Sequence, residues 1–289
     1  MQQFFNGFKS ETLEPALYVV ATPIGNMGDI TLRGLGILRS IEIIFCEDTR
    51  VTGRLLSVYK ISGKKLFVYN DYSDEKTRKN ILDLIRGGNP VALASDAGTP
   101  LISDPGFKLV KFLRENGARV IPIGGISAAT AAISVAGISC DKFKFFGFLA
   151  SKTREKTEEL GEILRENCSV ICYETAQRLL ETLKIIAALD ARRTICVARE
   201  LTKKFEHIVV APAGDVYNRY LSRPGELRGE VAVIIEKNSS VKNLDLNNLQ
   251  YILRESLKYM SPKDAAEFVS KILGKNKKEI YKILLTMEK

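Results

Sequence analysis

The chain has no tryptophan and only one histidine, His207, among its 289 residues. Chemistry that needs two or three imidazoles, such as a His-rich metal site, is therefore excluded. A Ser-His-Asp triad would have to be built on His207. That residue lies in the alternating stretch Glu206-His207-Ile208-Val209-Val210 and reads as one more strand position. The five cysteines, Cys46, Cys140, Cys168, Cys172 and Cys196, make no disulfide framework, and the close pair Cys168 and Cys172 has no second pair or His cluster beside it. Small buried hydrophobes in a reducing compartment are their expected use. No run reaches about 18 apolar residues, and MQQFFNGFKSETLEPA lacks a signal-peptide core, so no membrane span is expected and the expected location is cytoplasmic. Also missing are the G-x-x-x-x-G-K motif of P-loop nucleotidases and the G-x-S-x-G nucleophile elbow. The pair Gly25 and Gly28 does not complete a G-x-G-x-x-G dinucleotide loop.

With 45% hydrophobic residues the chain can bury real cores, and its length suggests about two domains of ordinary size. Lys and Arg number 43 against 34 Asp and Glu, a formal charge of +9 that favours an anionic partner such as nucleic acid or a nucleotide. From residue 17 onward, buried-strand runs alternate with helix-length segments: LYVVAT (17–22), IEIIFCED (41–48), VALASDAGTP (91–100) and RVIPIGG (119–125). Continuous apolar runs indicate strands covered on both faces, as in a parallel α/β sheet. After about residue 137, KFKFFGFL alternates like a half-exposed strand, and SVICYET, RTICVARE, EHIVVAP and GEVAVIIE add four strand candidates. Residues 194–212 hold two strands and a short charged turn, a hairpin, so the second sheet is expected to be mixed.

The fold class expected is α/β with two domains, a mainly parallel N-terminal sheet and a mixed second sheet, followed by a helical C-terminal module. The divisions are a flexible segment 1–15, an α/β domain 16–126, a second α/β domain 127–238 and a basic helical module 241–289. In that module Ser261 precedes Pro262 as a helix N-cap. A tight Gly274-Lys275-Asn276 turn between two helices resembles a helix-turn-helix unit. Lys275, Lys277, Lys278 and Lys282 cluster there, either as a solvated face or as a phosphate-binding surface.

Four polar, Gly- or Pro-rich segments follow strand candidates directly: Thr22-Pro23-Ile24-Gly25-Asn26, Glu47-Asp48-Thr49-Arg50, Ser95-Asp96-Ala97-Gly98-Thr99-Pro100 and Gly124-Gly125-Ile126-Ser127. Open α/β sheets bind ligands outside the carboxyl ends of their strands. One such segment is as readily a structural loop; four together indicate a site. Ser127 also suits the N-cap of the helix that follows.

In this order and spacing, ATPIGNMGDITLRGLGIL, CEDTR, SDAGTPLISDPG and VARELTKKFE resemble the ribosomal RNA small subunit methyltransferase I family, of the tetrapyrrole-methylase-like superfamily. The resemblance covers about residues 16–238 and, more loosely, the C-terminal helices. It implies a homodimeric enzyme, needing neither metal nor membrane, that holds S-adenosylmethionine (SAM) between its two α/β domains. Its substrate would be 16S rRNA or the 30S ribosomal subunit, methylated on the ribose 2′-hydroxyl of a cytidine. Carried over by position, Pro23, Ile24 and Gly25 would approach SAM by backbone. Asp96, Ala97, Thr99, Pro100 and Ile102, with Ser127 and Ala128, would grip it, and Tyr173 and Leu201 would close over the adenosine. One departure is Gly124-Gly125-Ile126-Ser127, where the family often has Gly-Pro-Ser; the Ser is kept and the loop is expected to be less rigid.

SAM is already activated, so the reaction asks chiefly for positioning and for a proton acceptor. Carboxylates and lysine at the expected cleft, Asp48, Asp71, Asp104, Glu174, Glu200 and Lys203, are the candidates. Arg50, Arg178 and Arg199 suit phosphate or carboxylate contacts. The basic runs 152–156, 192–193 and 203–205 would fit an RNA backbone. Two rival readings stay open: a methylase of the same superfamily acting on a tetrapyrrole or a protein, and a non-catalytic RNA-binding or ribosome-assembly factor.

Overall fold

The computed structural model describes residues 13–238, 246–273 and 276–287. Most of the expected segment 1–15, together with Gly274 and Lys275 of the expected C-terminal turn, lies outside the described residues. The chain divides into two compact units, one running to Glu236 and the other from Lys237.

In the first unit, five parallel strands form one sheet: β1 (Leu17–Val20), β2 (Ile43–Cys46), β3 (Lys65–Val68), β4 (Val91–Ala94) and β5 (Val120–Ile123), in the order β3-β2-β4-β1-β5. Helices α1 (Leu32–Ser40), α2 (Thr49–Val58), α3 (Glu75–Arg86) and α4 (Phe107–Glu115) connect them. Local chemistry sets their starts. The Thr31 hydroxyl accepts from Gly34 N–H, Asp48 from Arg50 N–H and Asp74 from Thr77 N–H, each filling an orphan donor of a first turn. One face of the sheet packs Val20, Ile44 and Ala92 under α1 and α2, and the other packs Phe45, Leu93 and Leu17 under α3 and α4. Burial on both faces is why these strands read as unbroken apolar runs. The edge strand β3 was not among the four strands expected here. Its KLFV is four residues long and mostly exposed, so it carries neither alternation nor a long apolar run.

The second sheet, β6-β7-β10-β8-β9, is mixed, as expected. It comprises β6 (Phe143–Phe148), β7 (Ser169–Thr175), β8 (Thr194–Arg199), β9 (His207–Pro212) and β10 (Glu230–Ile235). Only β6 and β7 run parallel, and β8 and β9 form the hairpin read from residues 194–212. On one face lie α6 (Thr153–Ile163), α7 (Ala176–Asp190) and α8 (Ala213–Ser222), around Leu179, Leu183, Val216 and Tyr220. The other face packs Ile171, Cys196, Ala198 and Ala232 against α5 (Ala128–Val135). Residues 126 and 127, the expected domain junction, fall between β5 and α5.

The C-terminal unit is helical: α9 (Leu246–Leu257), α10 (Pro262–Leu273) and α11 (Lys277–Met287) enclose Leu253, Ala265, Val269, Ile280 and Leu284. Ser261 caps α10, its hydroxyl accepting from Asp264 N–H at 3.3 Å and donating to the Asp264 carboxylate at 2.5 Å. Lys277 is paired with Glu267 at 2.6 Å, whereas Lys278 and Lys282 are exposed.

Candidate active site

The connection from β1 runs toward β2 on one side, and that from β4 runs toward β5 on the other. Their carboxyl ends therefore open a crevice at the point where the direction of winding changes. The two loops leaving it are stitched together. Thr22 and Gly98 exchange backbone hydrogen bonds at 2.8 and 3.0 Å, and the Thr22 hydroxyl donates to the Ser95 carbonyl at 3.1 Å. Thr99 then donates to the Ile126 carbonyl at 3.2 Å, tying the central loop to the start of α5. The second sheet closes the other side, giving a cleft of about 260 Å³.

Of the cofactor positions carried over by resemblance, Ile24, Asp96, Ala97, Thr99 and Ile102 line the cleft from the first sheet. Ser127, Ala128, Tyr173 and Leu201 line it from the second side. Pro23, Gly25 and Pro100 belong to the same loops but are not among the lining residues. Gly25 nevertheless packs closely on the cleft: a β-carbon there would come within 2.3 Å of Lys203 Cγ, so any larger residue would have to push the Lys203 side chain aside. Ser127 occupies the N-cap position of α5 but its side chain makes no capping bond; Ala129 N–H donates to the Tyr173 hydroxyl at 3.0 Å instead. A side chain of the second sheet thus satisfies a helix that follows the first.

The lining adds residues that the sequence did not single out as ligand contacts: Glu47, Gly98, Ser103, Phe148, Ala198, Glu230, Val231 and Ala232. Strand register is the signal that finds the last of these, since Ala232 pairs with Tyr173 and with Ala198. Phe148 and Phe145 meet the Tyr173 ring edge-on, with centroids 5.6 and 4.9 Å away, forming an aromatic wall. Backbone strain collects here too. Leu101, Ser103, Glu200 and Thr202 all have φ between 52° and 73°, in the two loops that flank the cleft.

The cleft is acidic. Burial pushes the Glu47 carboxyl up, reinforced by Asp96, Asp71 and Asp48; burial likewise raises Asp96. Asp104 is raised furthest, to about 6, first by burial and then by Glu47, Asp96 and Glu230, with a hydrogen bond to Ser95 opposing. Lys203 is the one cation among the lining residues, and it bridges Glu200 and Glu230 at 2.9 Å each. Burial works against its charge, but the two carboxylates outweigh it and hold its pKa above the ordinary value.

The catalytic candidates scatter. Asp104 and Lys203 line the cleft, with Glu200 bonded to Lys203 from behind. Glu174 borders it, yet its carboxylate is fully buried, held by Arg178 at 3.1 Å, Lys156 at 3.5 Å and the Thr182 hydroxyl at 2.7 Å. Arg178 also donates to the carbonyls of Leu149 and Ala150. These two are joined to structure rather than to the cleft, because alternate residues of a strand face opposite ways: Tyr173 turns in and Glu174 turns out. Arg199 follows the same parity behind Ala198. Asp48 and Arg50 pair with each other outside the lining, and the Arg50 hydrogen bonds lower Asp48 to about 2. Asp71 lies on the loop after β3, outside the lining, and accepts from Lys108 through its carbonyl. His207 opens β9, away from the cleft.

The match of this two-sheet fold and its cleft to a family model makes the class that of the tetrapyrrole methylases. The model of Tetrapyrrole (Corrin/Porphyrin) Methylases matches residues 16–217, and that of the RsmI C-terminal HTH domain matches 248–288. The chain is 38% identical over 274 residues to ribosomal RNA small subunit methyltransferase I of Rickettsia prowazekii, covering 94% of this chain and 97% of that one. The Escherichia coli O157:H7 protein of the same name is 38% identical over 276 residues, covering 94% and 95%. The chain therefore belongs to the ribosomal RNA small subunit methyltransferase I family, within the tetrapyrrole methylases.

Solved structures share the fold at lower identity. A cobalt precorrin-4 methyltransferase aligns with TM-score 0.58 and 17% identity over 77% of this chain and 95% of its own. Uroporphyrin-III C-methyl transferase from Thermus thermophilus, complexed with S-adenyl homocysteine, aligns at 0.52 and 18% over 76% and 97%. Diphthine synthase aligns at 0.54 and 13% over 76% and 90%.

Proposed function

We propose that the cleft binds SAM and that the chain transfers its methyl group to the ribose 2′-hydroxyl of a cytidine in 16S rRNA. The observation that carries the cofactor reading is electrostatic. A protein of net charge +9 lines this cleft with Glu47, Asp96, Asp104 and Glu230, besides Glu174 whose carboxylate turns away, against Lys203 alone. Such a lining suits a ligand with a sulfonium and an ammonium, and it would repel a nucleotide triphosphate. When bound, SAM supplies a methyl group on an activated sulfonium. The remaining work falls to the chain's own side chains.

Tyr173 and Phe148 offer flat apolar surface to an adenine, and the stitched loops at Thr22, Gly98 and Thr99 present a rigid backbone edge. Asp104 is the favoured proton acceptor. With a pKa of about 6 it is ionised near neutral pH, yet remains a better base than an ordinary carboxylate. Lys203, held charged by Glu200 and Glu230, is poorly suited to accept a proton. The acceptor reading, rRNA with a cytidine 2′-hydroxyl, draws on the family and on the sequence resemblance, and so does the homodimer, which sedimentation velocity tests.

Isothermal calorimetry with SAM is the first test, and binding is expected. The second is methyl transfer from labelled SAM to unmethylated 30S subunits, with nucleoside mass spectrometry. Appearance of 2′-O-methylcytidine is expected. A base-methylated nucleoside would overturn the 2′-hydroxyl assignment, and absence of SAM binding would overturn the cofactor reading.

A further inference from the structure

Behind the cleft, on the outer face of the strand that ends in it, stands a group of charges that the methyl transfer does not use. Arg199 is only 9% exposed, and no carboxylate among the described residues forms an ion pair with it; it donates to the Arg228 carbonyl at 3.2 Å and lies beside the buried Tyr220 hydroxyl. The neighbouring Glu200 turns its carboxylate toward Lys203 and the Glu230 N–H instead. Directly across the β8–β9 ladder from Arg199 is His207. Arg219, from α8, approaches the His207 Nε2 at 3.1 Å. A guanidinium can only donate, so Nε2 is the acceptor and the ring proton sits on Nδ1. Burial first, and then Arg219, lower the pKa of His207 and keep the ring neutral.

Among the described residues, four buried donors in this group, Arg199 Nε, His207 Nδ1, Arg219 Nε and the Tyr220 hydroxyl, have no hydrogen-bond partner, and of the acceptors Glu226 Oε2 is unbonded as well. Among the described residues, the carboxylate ion-paired within this group is Glu226, 3.6 Å from Arg219 and 3.3 Å from Arg223. Three guanidinium groups thus face one carboxylate, and a nearly buried cation left unpaired is costly unless an anion completes it. The group opens to solvent at Arg223, which is more than half exposed, and at Arg219.

We propose that Arg219 and Arg223, backed by Arg199 and His207, form a binding site for a backbone phosphate of the RNA substrate, with Glu226 as the internal carboxylate that the phosphate displaces. The proposal rests on the RNA reading above. A phosphodiester fits better than a carboxylate metabolite because its oxygens can accept from several forked donors at once. The position also suits a substrate contact: β8 runs on from Arg199 into Leu201 and Lys203 of the cleft, so a strand held behind the sheet end is led toward the methyl site.

The test uses the full chain, a fluorescein-labelled 16S rRNA fragment titrated at several KCl concentrations, and calorimetry with SAM. Arg219→Ala and Arg223→Ala should each weaken RNA binding on the order of tenfold. Each should also flatten the log–log salt dependence by about 0.7. SAM affinity should stay unchanged. Glu226→Gln should tighten RNA binding. Arg199→Met separates a ligand site from a structural role: it should raise the melting temperature of the free protein by removing an unpaired buried charge, while weakening RNA binding. Unaltered affinity and salt slope in both alanine variants, with wild-type SAM binding, would overturn the phosphate site alone. A wild-type chain that binds SAM but no RNA would overturn the RNA reading and the site with it.

Discussion

Asp104 is the residue at which environment matters most. The segment SDAGTPLISDPG marks it only as one aspartate of several, and nothing in the chain's spacing separates it from Asp96 or Asp48. The separation comes from the fold, which buries Asp104 among Glu47, Asp96 and Glu230 and gives Asp48 an arginine partner. The two carboxyls then lie on opposite sides of the ordinary value, one at about 6 and one at about 2. Because Asp104 is raised in the folded state, folding takes up a proton as pH rises from the unfolded value toward about 6, and stability declines across that window. Asp104→Asn removes this penalty. Its melting temperature should exceed that of the wild type above about pH 6 and converge with it below about pH 4. As the proposed proton acceptor, the same variant should lose on the order of a hundredfold or more in methyl transfer. Thermal melts across pH, set beside single-turnover rates, check both halves. A variant that keeps full activity would remove Asp104 from the chemistry.

Gly229 makes a second residue-scale case. Its φ is +85°, and a β-carbon would fall 2.0 Å from Glu200 Oε1. Sequence showed a glycine before a strand and no reason for it. The reason is Glu200, itself in a left-handed conformation, which must reach Lys203 across that space. Gly229→Ala should displace Glu200, leave Lys203 paired with Glu230 alone and raise the KM for SAM several-fold; a co-crystal or calorimetry would register the change.

Elements were legible where burial is two-sided. β1, β2, β4 and β5 announce themselves as apolar runs, and the hairpin β8–β9 by its short charged turn. β3 escaped because an edge strand with exposed side chains has no such signature. Parity within β7 escaped as well, since the apolar run SVICYE says that a strand is buried but not which of Tyr173 and Glu174 turns to the ligand. The answer lies in Lys156, a fully buried lysine from α6, which reaches Glu181 at 3.0 Å and Glu174 at 3.5 Å. Together with Arg178 it fastens α6 and α7 to β7 on the side away from the cleft. Lys156→Met therefore belongs to stability. It leaves Glu174 short of one partner in a buried setting, at a cost of about 3 kcal/mol, while SAM affinity of the folded fraction stays at the wild-type value. Urea denaturation and calorimetry on the same preparation decide it. Weaker SAM binding without loss of stability would return Glu174 to the site.

At the scale of the whole molecule, charge is partitioned rather than spread. The net charge of +9 belongs to a chain whose cleft lining carries five acidic residues, Glu174 with its carboxylate turned away, and one lysine. A basic protein with an acidic pocket is suited to two partners of opposite sign, and the two should respond differently to salt. SAM meets a few short-range, partly buried charges, so its affinity should change little between low and moderate ionic strength. An RNA backbone releases counterions from every contact, so its affinity should fall steeply over the same range. The C-terminal unit supplies part of that contrast. Lys277 is engaged by Glu267, which Lys277 and Lys271 together hold at about 2, but Lys278 and Lys282 stand exposed. Replacing Lys278 and Lys282 with glutamate in the full chain should therefore weaken RNA binding by about tenfold or more and reduce its salt slope. SAM binding should be unchanged, because every residue lining the cleft lies between Ile24 and Ala232. Equal RNA affinity for the variant and the wild type would make this lysine face a solvated surface, and the RNA contacts would then have to be sought wholly on the two-sheet unit.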